Sequence, residues 1–494
     1  SYEQLYDEIP SGGLFYQGVS EKARIISLKL HFHGDNPGDL HTDRAAIIDA
    51  TKSIHVVAQP LILRYQGLDS SGDPATEPIN IVCIPESSLQ DLPSNSLNQR
   101  AVIFFRTVNP HFDGAYFEGM ELGLYDTLTL GDYLVYQDKD GLWHDVCNGA
   151  NSIGGQVRCL LEGKDDTIYI GGDFSNAGNI ANADYLCKWT GTAIEAVTAA
   201  ADFNNKIYAL AEDAEGNLYI GGDFTDAGGA NGDGIVKCTP AGVLSSLGTG
   251  CDDHGVRAIA IEPNTGDIYV GGAFTQIGGV ANTAYIAYYD VSASLWKPLS
   301  TGLNLTVNAL SFAPNGDLAI GGTFTNADGA NGDYICYWNG SVFNMYGNVE
   351  LSSSVNELAY NNAGALYAGG TFINAGDDSN ADYLAMFKNN QWESVGDGRL
   401  DNAVYGMWIK SNVLYIVGAF TSIGDMSVIS SIGIYNKGVW STADAFISSG
   451  HVINVMIFTR SENLFIGGSY SGSSIFCDQK TATNNGDTKA YPII

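Results

Sequence analysis

Few residues in this 494-residue chain have types and spacings that could do chemistry. His31-x-His33 would place two imidazoles on one face of a strand, the beginning of a metal site. No third ligand accompanies them, and a polar strand face explains the pair equally well. Asp138-Lys139-Asp140-Gly141 opens like a calcium loop, but no Glu stands at the twelfth position, so the segment reads as a hairpin turn. Loops rich in Asp and Asn, such as 226–233, could turn carboxylates and carbonyls toward Ca²⁺, although tight turns select the same residues. Asn304-Leu-Thr306 and Asn339-Gly-Ser341 match the glycosylation pattern, which has meaning only in a eukaryotic secretory setting.

Catalytic signatures are missing. The chain contains no Gly-x-Ser-x-Gly, no His-Glu-x-x-His and no Gly-x-x-x-x-Gly-Lys-Ser/Thr. With 55 acids, no particular pair of carboxylates stands out as a glycosidase pair. No catalytic residue, cofactor loop or metal ligand is therefore assigned, and the expectation is a protein without turnover. The 55 acids against 23 bases give a net charge of -32, of which -9 falls on residues 1–130. Both parts repel phosphate, which argues against nucleic-acid binding. No run of 18 apolar residues occurs, so no membrane span is expected.

The cysteines (83, 147, 159, 187, 238, 251, 336 and 477) show no CxxC spacing. Cys187, Cys238 and Cys336 recur inside apolar strands at nearly matching places, as small buried hydrophobes do. Free thiols are expected, and with them assembly in a reducing compartment.

The elements that would position any site come from a repeat. Gly171-Gly172-Asp-Phe174 returns as Gly221-Gly222-Asp-Phe224, Gly271-Gly272-Ala-Phe274 and Gly321-Gly322-Thr-Phe324. Further copies are Gly369-Gly370-Thr-Phe372, Val417-Gly418-Ala-Phe420 and Gly467-Gly468-Ser-Tyr470, at steps of 50, 50, 50, 48, 48 and 50 residues. About 14 residues before each lies a β-branched residue followed, three places on, by a larger apolar one: Val157/Leu160, Ile207/Leu210, Val256/Ile259, Val307/Leu310, Val355/Leu358, Val404/Met407 and Ile453/Met456. A third strand follows each copy, and a fourth often holds Trp, as at Trp296, Trp392 and Trp440. Four short strands per unit bury their faces only if the units are arranged radially. The paired glycines would admit neighbouring backbone, and the aromatic would wedge between blades. Residues 132–136 and 141–146 read as strands three and four of a blade, ahead of the first full copy. They should complete the last copy, which is short after Tyr470.

The fold class expected is mainly β: a seven-bladed propeller over residues 131–494, preceded by a β-rich domain with one helix over residues 1–130. In that first domain an alternating strand is predicted at 24–33, a helix at 39–50, and strands at 60–65, 79–84 and 100–106. The order of Arg24-Ile-Ile-Ser-Leu28, the helix, a Leu-x-Tyr strand and Asn109-Pro110-aromatic resembles the N-terminal ring domain of siphovirus distal tail proteins. The propeller resembles the kelch-like Gly-Gly-x-Phe repeat proteins of bacterial surfaces and phage tails. Kelch-type copper oxidases share that fold, but the propeller supplies only His144, His254 and His451, and sialidase-type Ser-x-Asp-x-Gly-x-x-Trp boxes are absent.

The resemblance implies a structural tail-tip or baseplate protein. Its ring, a homo-oligomer and usually a hexamer, would join the tail tube to baseplate hub proteins. Its propeller would meet a host-surface glycan or protein. The implied place is the virion tail tip, assembled in the host cytoplasm. The rival readings are a propeller enzyme acting on glycans or as an oxidase, and a cell-surface adhesin.

Overall fold

In the computed structural model, residues 132–471 are described apart from short loop segments. Outside that span the described residues are the strands Leu61–Gly67, Ile79–Pro85, Ala101–Phe105, Phe117–Tyr125, Ile475–Phe476 and Gln479–Ala482. The chain divides into two compact units, residues 1–128 with 476–494, and residues 129–475. In the first, the strands predicted at 60–65, 79–84 and 100–106 form within a residue or two of those bounds. The antiparallel sheet they join runs Ala101–Phe105, Ile79–Pro85, Leu61–Gly67, Phe117–Tyr125, Gln479–Ala482. The predicted strand at 24–33, the helix at 39–50, His31, His33 and Asn109-Pro110 lie outside the described residues.

The second unit is a seven-bladed propeller. Six blades are four-stranded antiparallel sheets read straight along the chain. Their innermost strands are Gln156–Glu162, Ile207–Glu212, Val256–Ile261, Val307–Phe312, Val355–Tyr360 and Val404–Lys410. Blade 7 is assembled from both ends: Ile453–Phe458 and Leu464–Ser471 pair onward with Asp132–Gln137 and Trp143–Asp145. Leu464 stands opposite Gln137 and Ile466 opposite Val135, which is the predicted closure. Each innermost strand packs on the next, and Ile453–Phe458 packs on Gln156–Glu162, so the ring is shut. Apart from short 3₁₀ turns, all regular structure among the described residues is β.

The three-residue spacing of the inner apolar pairs has a cause the alternation of a strand does not supply. Every innermost strand carries a bulge immediately after its β-branched residue; Val355 pairs with Gly370 and Glu357 with Gly369, leaving Asn356 as the extra residue. The bulge shifts the alternation by one, and both members of the pair face the preceding blade. A Cβ on Gly321 would fall 2.6 Å from Val355 Cγ1 and 3.2 Å from Leu358 Cδ1 of the following blade. The first glycine of each pair therefore receives a side chain, not neighbouring backbone as the repeat alone suggested. The second meets backbone of its own blade: a Cβ on Gly322 would strike the carbonyl of Thr306.

Blade 6 breaks the signature with Val417 and compensates across the strand. Its partner is Gly406, where the other blades hold Cys159, Ala209, Ala258, Ala309, Glu357 or Val455. The small residue has changed strands, and Val417 is fully buried.

The aromatic wedge is also in place. Phe224 packs in one cluster with Cys159 and Leu186 of the blade before it, and Phe274 does so with Tyr219 and Ile235. Phe174, Phe324, Phe372 and Phe420 are buried in the same way; the side chain of Tyr470 is outside the described set. A second brace was not anticipated. Tyr185, Tyr285, Tyr334 and Tyr383 each immediately precede a third strand, and Tyr133 is the second residue of one, all with φ between 61° and 65°, a left-handed conformation costly for a residue with a Cβ. Their rings pack on the following blade, which offsets that strain. The recurring Asp-Tyr-Leu/Ile string at 132, 184, 333 and 382 is the sequence sign of it.

Tryptophans serve packing, as expected: Trp296 donates Nε1–H to the Leu247 carbonyl at 2.7 Å and Trp440 to that of Val395 at 2.9 Å. Trp408 lies half-buried on the innermost strand of blade 6. Cys159, Cys187, Cys238, Cys251 and Cys336 are buried thiols outside any disulfide.

Candidate functional site: the mouth of the central channel

Innermost strands begin, and second strands end, at the same end of the ring, so the bulges lie at one mouth of the channel with the buried Gly-Gly pairs behind them. A repeated backbone bond ties them: the N–H of Asp223 donates to the Lys206 carbonyl at 2.8 Å. Ala273, Thr323, Thr371, Ala419 and Ser469 donate in the same way at 2.8–2.9 Å. A side-chain clamp reinforces it. Asn204 Oδ1 accepts from Thr225 N, Asn304 Oδ1 from Thr325 N, Ser352 Oγ from Ile373 N, and Asp401 Oδ1 from Thr421 N. Burial opposes ionisation of Asp401, yet the bonds from Thr421 and Ser422 hold its carboxyl below the usual range.

On this constant frame the bulge side chain is Arg, Tyr or Asn: Arg158, Tyr208, Arg257, Asn308, Asn356, Tyr405 and Asn454. Three of the asparagines stitch blades together. Asn308 Nδ2 donates to the Val355 carbonyl and Asn356 Nδ2 to that of Val404, both at 3.0 Å, and Asn454 Nδ2 to that of Val157 at 3.3 Å.

Blades 1–3 differ. Arg158 and Arg257, one from the blade on either side, lie 5.2 and 5.8 Å from the Tyr208 ring centre, within cation–π reach. Tyr208 donates its hydroxyl to Asp223 at 2.8 Å. Burial, then the bond to Asp223 and its charge, push that phenol up to about 12, against the pull of the two guanidiniums. Asp173 stands 3.3 Å from Lys206 Nζ and 3.9 Å from an Arg158 terminal nitrogen. Arg158 Nε is buried without a hydrogen-bond partner.

The sites singled out in the sequence fare otherwise. Asp138 accepts from His144 Nε2 at 2.8 Å across the hairpin, and the His144 ring stacks on Tyr136. His254 and His451 lie outside the described residues. The loop acids are occupied by backbone: Asp184 accepts from Asn176 N, Asp233 from Asp226 N, and Asp382 from Asn374 N. Arg399 also binds Asp382 at 2.6 Å. Asn304 is engaged in the clamp on Thr325, and Asn339 is held in local turn bonds. Among the described residues no three His, Cys, Asp or Glu side chains gather as metal donors, and no helix is long and apolar enough to cross a membrane. The arrangement can bind; its polar groups have the geometry of recognition, with donors, a cationic pair and an aromatic ring.

Comparison with known proteins points to the same fold. Residues 244–341 match the model of the Rax2 C-terminal beta propeller domain, and residues 202–224 that of the two component regulator propeller. These are propeller families other than kelch. No curated protein matches the chain at the level of sequence. One similar solved structure is the extracellular domain of the putative one component system BT4673 from B. thetaiotaomicron, 13% identical, with a TM-score of 0.34. That match covers 83% of this chain and 50% of the other, so the chain spans about half the length of that relative. Others are YCF48 bound to D1 peptide (12% identity, 64% and 93% coverage, TM-score 0.39) and the WD40 beta propeller domain of Doa1 (12%, 68% and 95%, 0.43). The strand pairing itself establishes the fold: the chain carries a seven-bladed β-propeller.

Proposed function

We propose that the propeller is a non-catalytic binding module and that the chain is a structural tail-tip protein. One observation carries the binding part. Seven copies share the same frame, while the bulge side chain is asparagine stitching blades together in blades 4, 5 and 7, and in blades 1–3 is instead the Arg158, Tyr208 and Arg257 cluster at a single mouth. A stable scaffold with variable projecting groups is the usual construction of a recognition surface.

The tail assignment rests on the N-terminal resemblance. In this reading residues 1–130 build a homo-oligomeric ring, a hexamer, between tail tube and baseplate hub. The propeller projects to meet a host-surface glycan or protein, in a virion assembled in the host cytoplasm. Electron microscopy and solution mass of the full chain test it: rings of closed cyclic symmetry support the reading, and a monomer at high concentration overturns it. Release of reducing sugar from envelope polysaccharide, abolished by one Asp or Glu substitution in the propeller, would overturn the non-catalytic part.

A further inference from the structure

The chain holds 55 acids and 23 bases, yet three bases, Arg158, Lys206 and Arg257, gather at one mouth in successive blades. Two acids answer them there. Asp173 is shared by Lys206 and Arg158, and Asp223 accepts the Tyr208 hydroxyl. Asp252, at the same end, is engaged by Thr275 and Gln276. Arg257 is exposed and has no carboxylate within ion-pair distance among the described residues; its terminal nitrogen donates to Asn308 Oδ1 at 3.3 Å. Arg158 keeps a buried Nε–H without an acceptor. Two guanidiniums set against one tyrosine are held in orientation by the ring, with edge donors left for a planar anion. That is the geometry in which arginine takes a carboxylate with paired hydrogen bonds.

We infer that this mouth binds a carboxylate at the Arg158–Tyr208–Arg257 cluster, and that the ligand is an acidic saccharide bearing uronic-acid units. The inference rests on the binding-module reading and names its ligand. The saccharide follows from the rest of the rim. In blade 5, Ser353 and Ser354 hydroxyls both lie 2.9 Å from Thr371 Oγ1, with either atom free to donate. Such hydroxyl clusters give and take hydrogen bonds as sugar hydroxyls do. The same arginines would also take an acidic peptide, so these hydroxyls are what favour the saccharide.

Calorimetry on the full chain tests this, with oligogalacturonate, a neutral maltooligosaccharide of equal length, and a polyglutamate peptide as probes. Oligogalacturonate should bind, at least tenfold more tightly than the neutral chain, and weaken as salt rises. Arg257→Gln, an exposed change, should cost tenfold or more in affinity with an unaltered melting temperature. Arg158→Gln should do the same, its folding checked by circular dichroism. Equal binding of the neutral chain, indifferent to Arg257→Gln, would leave the module standing and sink the carboxylate site. Tighter binding of polyglutamate would sink the saccharide. A folded chain that binds none of the three probes would overturn this inference, while failure against a panel of host-surface glycans and proteins would also remove the module.

Discussion

Val355 and Asn356 are neighbours in the chain, yet they belong to different regimes. The first, buried, fills the space left by Gly321 of the blade before; its counterparts in the other blades are all Val or Ile. The second is the bulge residue, and its counterparts include Arg, Tyr and Asn. One residue of displacement separates a position dictated by packing from one open to recognition. The bulge makes the division possible, because it leaves the extra side chain out of the packed apolar pairs without disturbing them on either side.

The largest effect should come from the closing blade. Leu134, fully buried on a strand borrowed from before the first repeat, cannot host a charge. Leu134→Asp should cost about 4 kcal/mol or more, read as loss of the cooperative thermal transition. A shift of only a degree or two would mean the ring does not depend on that strand.

Next comes the frame itself. Gly321→Val should cost about 2–3 kcal/mol through overpacking against Val355. Adding Ala309→Gly reproduces the Gly406/Val417 pair of blade 6 and should restore part of the loss. No recovery in urea unfolding would show that the exchange in blade 6 is not compensation.

Glu357 sharpens the comparison, since it is an acid at a frame position. It sits cross-strand from Gly369, on the face toward blade 6, where other blades hold small or apolar residues. Burial pushes its carboxyl up to about 8, with the Leu358 N–H pulling the other way. Unfolded, the group titrates near ~4.3. The folded state therefore holds the proton more tightly, so its contribution is intact below about pH 4 and falls away as pH rises toward 8. Glu357→Gln should raise the melting temperature at pH 8 by roughly 2 °C or more, and by less at pH 5. An equal gain at both would contradict a protonated Glu357.

The smallest effect belongs to the variable side. Asn356→Ala removes one bond to the Val404 carbonyl and should cost about 1 kcal/mol. A loss as large as that of Gly321→Val would erase the distinction between the two regimes.

These contrasts also explain what could be read from the chain. The seven copies, the wedge phenylalanines and the borrowed strands were legible because each recurs at a fixed interval. The bulge was visible only as an odd spacing, Val355 to Leu358, whose cause lies in strand pairing. The left-handed tyrosines escaped notice because a helical or turn conformation is not expected of an aromatic; the Asp-Tyr string was the available clue. The mouth was illegible for the opposite reason. Arg158, Tyr208 and Arg257 share a column of the repeat that holds Asn in three other blades, so no single residue type marks it and periodicity conceals them. Lining up the copies on the β-branched residue and reading the next column would have found them.

The borrowed strands have a consequence for the timing of synthesis. Residues 132–145 leave the ribosome before any blade, but their partner at 464–471 is made last. At elongation rates of roughly 5–20 residues per second, those two segments wait on the order of 15–65 s for each other. Throughout that interval the nascent protein carries an unmatched β-edge beside six growing blades, an open invitation to a neighbouring chain on the same message. Slower translation lengthens the exposure, and completion of the last blade ends it.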